Sequence, residues 1–266
     1  SVPAVRESVP YGDQPRHHLD WYRHPDRAPR ATVVFFYGGN WRSGRRQDYR
    51  FVADTLLTLG CDAVIPDYRL YPHVRFDDIL EDARRATEAV LTRMPEDRPL
   101  VLMGHSAGAQ IGALLTLDAR LLSGNRRIAG FVGLAGPYDF YPFTEDDHWE
   151  LFGPEEAYPA SQPVNFVRPD AAPLYLLHGE DDRRVHRGHS KSLLQKQRAV
   201  GGRAEREVYA GLGHVEIVVA FTRLHRTRSP VVRDVDRFLA AIARGDVAER
   251  EAVRGPAPGP SSEPLP

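Results

Sequence analysis

The chain has 266 residues, enough for one α/β domain with a substantial buried core or for two small domains. Its 35 Lys and Arg residues balance 36 Asp and Glu residues, and a formal net charge of −1 lacks the basic surplus of a nucleic-acid binder or a polybasic membrane anchor. The single cysteine, Cys61, excludes an internal disulfide and argues against a Cys-based metal site.

Strand and helix patterns alternate along most of the chain. The polar segment Ser1–Arg30 contains two short extended stretches, Val5–Val9 and His18–Tyr22, which we expect to pair at a sheet edge. Apolar runs and helical spacing then predict, in chain order, strand Thr32–Phe36, helix Gln47–Leu59, strand Asp62–Pro66, helix Phe76–Arg93, strand Leu100–Met103, helix Ala107–Asp118, strand Ile128–Leu134, strand Leu174–Leu177, helix Ser190–Val200, strand Glu205–Tyr209, helix Val215–Leu224 and helix Val231–Ala243.

This alternation predicts the α/β class, with a mostly parallel central sheet flanked by helices. We expect residues 1–254 to form one domain, within which the long connection 135–173 makes a small cap over the site. The last segment, 255–266, contains five prolines, and we expect it to be disordered. Ligands of such sheets bind at the carboxyl ends of the strands, so the chemistry is expected in the loops that follow them.

The strongest local motif is Gly104-His105-Ser106-Ala107-Gly108, between a predicted strand and a predicted helix. This is the G-x-S-x-G pattern, in which a sharp turn lifts a serine hydroxyl above the sheet and small neighbours let the strand and helix approach. The sequence therefore makes Ser106 the candidate nucleophile.

A serine nucleophile needs a base and an acid that orients the base. Three acids, Glu180, Asp181 and Asp182, follow the strand Leu174–Leu177. As candidates for the orienting acid we rank Asp182 first, Asp181 second and Glu180 third, because Asp182 is far enough from the strand for the loop to turn back toward the serine. The candidate base is His214, on a glycine-bracketed loop after a strand.

We expect neither a metal nor any other cofactor. The spacing of His186 and His189 is compatible with metal ligands, but no third ligand accompanies them.

The fourth element is Tyr37-Gly38-Gly39-Asn40-Trp41, directly after the strand Thr32–Phe36. Two glycines let the backbone come close to a substrate carbonyl, where N–H groups stabilise an oxyanion. The same segment is also compatible with an ordinary tight turn.

Together these segments resemble the α/β-hydrolase fold, and more narrowly the esterases that carry H-G-G-x-W, D-Y-R-L, G-H-S-A-G and a late G-H. That group includes carboxylesterases related to the hormone-sensitive lipase family and arylformamidases of the kynurenine-formamidase type. The matching segments are Gly38-Gly39-Asn40-Trp41, Asp67-Tyr68-Arg69-Leu70, Gly104 to Gly108, His178-Gly179 with Asp182, and Gly213-His214.

The resemblance implies roles for individual residues. It makes Ser106 the nucleophile, His214 the base and Asp182 the orienting acid. It also implies an oxyanion hole formed by the N–H groups of Gly39, Asn40 and Ala107. Asp67 and Arg69 are expected to be structural, and Tyr37 stands where the family usually has a histidine that supports the oxyanion loop.

We therefore expect a serine carboxylesterase that hydrolyses short-chain or small aryl esters, with Trp41 and Tyr138 near the substrate. The alternatives are an arylformamidase-type amide hydrolase and a non-catalytic ligand-binding protein of the same fold. The expected partner is a small-molecule ester, without nucleic acid or membrane, and the oligomeric state stays open. The N-terminus shows no apolar signal segment and no run spans a membrane, so we expect a cytoplasmic location.

Overall fold

The chain forms one sheet of eight strands with helices against it. This computed structural model describes residues 5–26 and 28–245, so the expected disorder of 255–266 lies outside the described residues. The strands are β1 (Val5–Pro10), β2 (His18–Arg23), β3 (Thr32–Phe36), β4 (Asp62–Pro66), β5 (Leu100–His105), β6 (Ile128–Leu134), β7 (Leu174–Gly179) and β8 (Ala204–Tyr209). The α-helices are α1 (Arg50–Thr58), α2 (Phe76–Arg93), α3 (Ala107–Leu117), α4 (Asp146–Phe152), α5 (Gly188–Ala199), α6 (Glu216–Val219) and α7 (Pro230–Arg244).

The sheet order is β1-β2-β4-β3-β5-β6-β7-β8. β1 and β2 form an antiparallel pair that joins β4, and all pairs from β4 to β8 are parallel, which confirms the expected sheet and its paired edge segments. The strands β3, β4, β5 and β7 are buried along their whole length, as their continuous apolar runs predict.

The order of the strands reverses at β3, which lies between β4 and β5. Ligands of open α/β sheets bind outside the carboxyl ends of the strands at such a reversal. The register pairs Phe36 of β3 with Gly104 of β5, so the segments that follow these two strands begin side by side. These are the two segments that carry the glycine pair and the candidate nucleophile.

Two predicted helices differ from the structure. The stretch predicted as Gln47–Leu59 is a short 3-10 helix, Arg46–Tyr49, followed by α1. The helix predicted over Val215–Leu224 ends at Val219, because the Thr222 hydroxyl and N–H both donate to the Val219 carbonyl and divert the backbone into turns.

The connection 135–173 contains α4 and two 3-10 helices, Tyr158–Ser161 and Pro163–Phe166. Aromatic side chains hold this segment together and pack it against the body. Their ring contacts join Phe140, Phe143, His148 and Phe152 to one another. Residues 135–173, the connection between β6 and β7, are called the cap below.

Candidate active site

Ser106 lies on the tight turn between β5 and α3. Its φ of 55° and ψ of −121° form a strained backbone that persists only when the surroundings enforce it. The Ser106 N–H donates to the Leu134 carbonyl at 2.9 Å, which ties the turn to the end of β6. A Cβ on Gly104 would lie 2.3 Å from the Gly108 oxygen, and one on Gly108 would lie 2.0 Å from the Phe36 oxygen. Both glycines are therefore required for α3 to pack this closely against β5 and β3.

The structure brings Ser106, His214 and Asp182 together. His214 Nε2 lies 2.9 Å from Ser106 Oγ, and His214 Nδ1 lies 2.7 Å from Asp182 Oδ2. A carboxylate accepts hydrogen bonds only, so Nδ1 carries the proton and Nε2 is free to accept from the serine hydroxyl. Asp181 and Glu180 are exposed, and their N–H groups donate to the Leu212 and Tyr209 carbonyls. Of the three neighbouring acids, Asp182 is the one that contacts the imidazole.

Asp182 is held in its ionised form. Burial opposes its charge, but hydrogen bonds from His178, His214 and the Val185 N–H outweigh burial and hold the pKa of Asp182 far below its usual range. The N–H groups of Arg184 and Val185 each lie 2.9 Å from Oδ1. The carboxylate therefore faces His214 in a fixed orientation.

His178 lies behind this carboxylate. Its Nε2 donates to the Val185 carbonyl at 2.7 Å and lies 3.4 Å from Asp182 Oδ2. The imidazole is completely buried, and it supports the loop that carries the acid.

His105 contacts the backbone of the candidate base. Its Nε2 donates to the His214 carbonyl at 2.8 Å, and the two rings lie 5.0 Å apart. Burial and the neighbouring His214 lower the pKa of His105 to about 4, so its imidazole is neutral near pH 7. Only the fold reveals this contact.

The glycine pair after β3 lies against Ser106. A Cβ on Gly38 would lie 2.9 Å from Ser106 Cβ. The next residues, Gly39, Asn40 and Trp41, have φ values of 133°, 54° and 62°, so the backbone turns sharply here. Within 5–26 and 28–245, no backbone carbonyl or side chain accepts from the N–H groups of Gly39, Asn40 and Ala107. These three N–H groups therefore have no acceptor among the described residues.

Trp41 joins this loop to the cap. It is almost fully buried, and its indole N–H donates to Gln110 Oε1 at 2.9 Å. Its ring contacts Phe140, His148 and Phe152 of the cap. Sequence reasoning missed Gln110; the available signal was a single amide in the largely apolar helix α3.

Tyr138 does not reach the surface of the site. It is completely buried, and its hydroxyl packs against the backbone of Gly133 and Gly136. Burial raises the pKa of its hydroxyl well above the usual range. The expected contact between Tyr138 and substrate therefore gains no support, because the turn after β6 points its ring into the core.

The described residues, 5–26 and 28–245, also bear on metal binding and membrane crossing. No group of three or more His, Cys, Asp or Glu side chains in that part of the chain is arranged to hold a metal ion. None of its helices combines the length and apolar character needed to cross a bilayer.

Comparison with known proteins gives consistent results. The model of the BD-FAE family matches residues 19–197. Isoprenylcysteine alpha-carbonyl methylesterase of Arabidopsis thaliana is 28% identical over 243 residues, which cover 80% of this chain and 57% of the plant protein. Esterase LipC of Mycobacterium tuberculosis is 29% identical over 230 residues, covering 73% of this chain and 55% of LipC. A kynurenine formamidase of Danio rerio is 30% identical over 144 residues, or 53% of this chain and 49% of that protein. The chain thus spans about half the length of the curated relatives it matches.

Solved structures share the architecture. Esterase B from Lactobacillus rhamnosis superposes with a TM-score of 0.76 at 19% identity, covering 93% of this chain and 89% of that structure. A thermophilic esterase from Thermogutta terrifontis gives a TM-score of 0.71 at 21% identity, with coverage of 89% and 92%. The fold is therefore the α/β-hydrolase fold. The family model covers more than half of the residues of this chain, so the chain belongs to the BD-FAE family.

Proposed function

We propose that this chain is a serine carboxylesterase that acts on small esters through Ser106, His214 and Asp182. The observation that carries the proposal is the pair of contacts at His214, 2.9 Å to the serine oxygen and 2.7 Å to the carboxylate. Nucleophile, orienting acid and base, in that chain order, are the constellation of acyl transfer on this fold.

The reaction begins with attack of Ser106 Oγ on the ester carbonyl carbon while His214 Nε2 takes the hydroxyl proton. The carbonyl electrons move to its oxygen, and the N–H groups of Gly39, Asn40 and Ala107 donate to the resulting oxyanion. Collapse of this intermediate breaks the bond to the alcohol oxygen, which leaves with the proton from His214.

An acyl group is then bound to Ser106. His214 removes a proton from a water molecule, and the hydroxide adds to the acyl carbon. The second intermediate releases the carboxylic acid, and the proton on His214 returns to Ser106 Oγ. Asp182 keeps its negative charge throughout and stabilises the imidazolium that forms in each half-reaction.

We infer short-chain or small aryl esters as the substrates because the cap is small. Relatives named methylesterase and esterase support ester chemistry. The experiment is hydrolysis of p-nitrophenyl acetate, butyrate and octanoate by the wild type and Ser106→Ala. We expect the rate to fall by up to about 10⁶-fold in the variant, with the fold retained. An unchanged rate in the variant would contradict the proposal.

The second candidate is an arylformamidase. Its support is the 30% identity to two fish kynurenine formamidases, which covers only half of this chain. The same nucleophile, base and oxyanion donors serve this reaction, so Ser106→Ala does not distinguish the two. The ratio of kcat/KM on N-formyl and butyryl aryl substrates does, and we expect the butyryl ester to be preferred.

A further inference from the structure

The loop that bears the free N–H groups is held in a costly backbone shape. Asn40 and Trp41 both carry a Cβ and have positive φ, and such conformations persist only when neighbouring groups enforce them. Removal of one oxyanion donor costs two to three orders of magnitude in rate. Groups that fix this loop therefore bear directly on the proposed reaction.

Arg16 holds both ends of the loop. It lies in the turn between β1 and β2, ahead of the 19–197 family match. Its Nη2 donates to the Tyr37 hydroxyl at 2.8 Å and to the Gly44 carbonyl at 2.7 Å. Its Nε donates to the Tyr68 carbonyl at 2.8 Å. One guanidinium thus joins the first residue of the segment 37–44 to its last.

Tyr37 transmits this contact to the interior. Its hydroxyl donates to Asp67 Oδ1 at 2.7 Å, and its carbonyl accepts from the Tyr68 hydroxyl at 2.7 Å. The ring is stacked between Tyr49 and Tyr68. Burial raises the pKa of Tyr37 well above its usual value, so the hydroxyl keeps the proton that it donates.

Asp67 is fixed independently of Arg16. It accepts from the Arg46 backbone N–H at 2.7 Å and from Arg46 Nη1 at 2.6 Å. Asp67 lies 3.7 Å from Arg16 Nη2, too far for a direct hydrogen bond. The Tyr37 hydroxyl therefore links Arg16 to the carboxylate.

We propose that Arg16 is a positioning residue for the oxyanion hole, acting on the loop through Tyr37 and Gly44. The proposal rests on the proposed function, since it assigns the loop's N–H groups to the oxyanion. Gly38 is packed against Ser106, so a shift of the loop moves the donors relative to the nucleophile. Misplacement by about 1 Å costs about 100-fold in rate.

The test is the kinetics of Arg16→Gln and Tyr37→Phe on p-nitrophenyl butyrate. We expect kcat to fall about 10- to 100-fold in each variant, with KM changed less than about twofold, because loop position affects the transition state more than the bound ester. Arg16→Lys keeps the charge but cannot reach all three acceptors at once, so it should recover only part of the rate.

A transition-state analogue separates positioning from a general loss of structure. A trifluoromethyl ketone forms an oxyanion upon addition of Ser106, so its inhibition constant should rise by the same factor as kcat falls. The double variant Arg16→Gln/Tyr37→Phe should lose less than the product of the two single losses, since both changes break one chain of contacts.

The matched control is Arg23→Gln, at the end of β2, the strand that follows the turn that carries Arg16. Arg23 pairs with Glu7 at the surface and does not contact the loop, so its variant should keep the wild-type rate. Full rate in Arg16→Gln, or an unchanged inhibition constant, would overturn the inference and leave the esterase proposal standing. A wild type without turnover would overturn both.

Discussion

At the scale of single residues, the site depends on how each polar group is protonated and held. Asp182 is ionised, His105 is neutral, and the proton of His214 lies on the nitrogen that faces the carboxylate. These states follow from burial and from hydrogen bonds that act in opposite directions. Substitutions that change one group at a time should therefore have separable effects.

We expect Asp182→Asn to lower kcat by about 10⁴-fold, because an amide favours the wrong imidazole tautomer. The matched control is Asp181→Asn. Asp181 is exposed and contributes to this loop through its backbone N–H, which the variant retains. The measurement is kcat with p-nitrophenyl butyrate for both variants. A larger loss in Asp181→Asn than in Asp182→Asn would show that Asp181, and not Asp182, orients the imidazole.

His105 should make stability depend on pH in a defined window. Its pKa is lowered to about 4 in the fold against 6.5 for a free imidazole, so the unfolded chain binds a proton first as the pH falls. The contribution of His105 to the free energy of unfolding is complete above pH 6.5 and decreases progressively down to about pH 4. At pH 5 the decrease is about 2 kcal/mol. Asp182 contributes at lower pH, because its depressed pKa matters only where free aspartate becomes protonated, near pH 4.

The measurement is the free energy of urea unfolding at pH 7.5 and pH 5.0, for the wild type and His105→Gln. The glutamine amide places an N–H donor near the position of Nε2 but does not titrate. We expect the variant to lose less stability between the two pH values than the wild type does. Equal losses in the two proteins would show that His105 does not titrate in this window.

At the scale of elements, the crossing of β3, β5 and α3 sets the position of the nucleophile. Gly108→Ala would place a methyl group 2.0 Å from the Phe36 oxygen, which is backbone and cannot yield easily. We expect a loss of several kcal/mol in unfolding free energy, beyond the ~3 kcal/mol of a severe core substitution, or failure to express in soluble form.

The matched control is Gly188→Ala at the first residue of α5. No heavy atom lies within 4 Å of a Cβ at that position, so alanine should be neutral or stabilise by about 0.5–1 kcal/mol. Thermal unfolding of the two variants gives the comparison. A Gly108→Ala protein as stable as Gly188→Ala would mean that the crossing is looser than the structure indicates.

The sequence was sufficient to predict β3, β4 and β6 to the residue, because short, mostly apolar runs of this length favour a buried strand. It also indicated Ser106, Asp182 and His214, since each lies at a strand end and chain order limits the choices. It did not indicate Arg16, because only the fold brings residue 16 beside residue 37, and nothing local distinguishes it among 35 Lys and Arg residues. The expected contact of Tyr138 with substrate gains no support from the structure for a related reason: the turn after β6 decides which way the ring points.

At the scale of the whole molecule, we expect the protection of backbone amides against hydrogen exchange to decrease from the centre of the sheet to its edges. β3 and β5 are fully buried and paired on both sides, whereas β8 has exposed residues and one paired side. Hydrogen exchange followed by mass spectrometry should therefore be slowest in β3 and β5 and fastest in β1 and β8. Uniform protection across all eight strands would contradict this ranking.

The cap lies in the chain between β6 and β7, two neighbouring parallel strands, so it begins at the edge of the sheet that carries the site and ends at the opposite edge. Every group assigned to the chemistry lies outside it, on turns after β3, β5, β7 and β8. The segment proposed to limit substrate size and the residues proposed for the chemistry thus lie in separate stretches of the chain. Exchange of residues 139–172 between relatives of this fold is therefore a route to new specificities that leaves the hydrolytic apparatus in place.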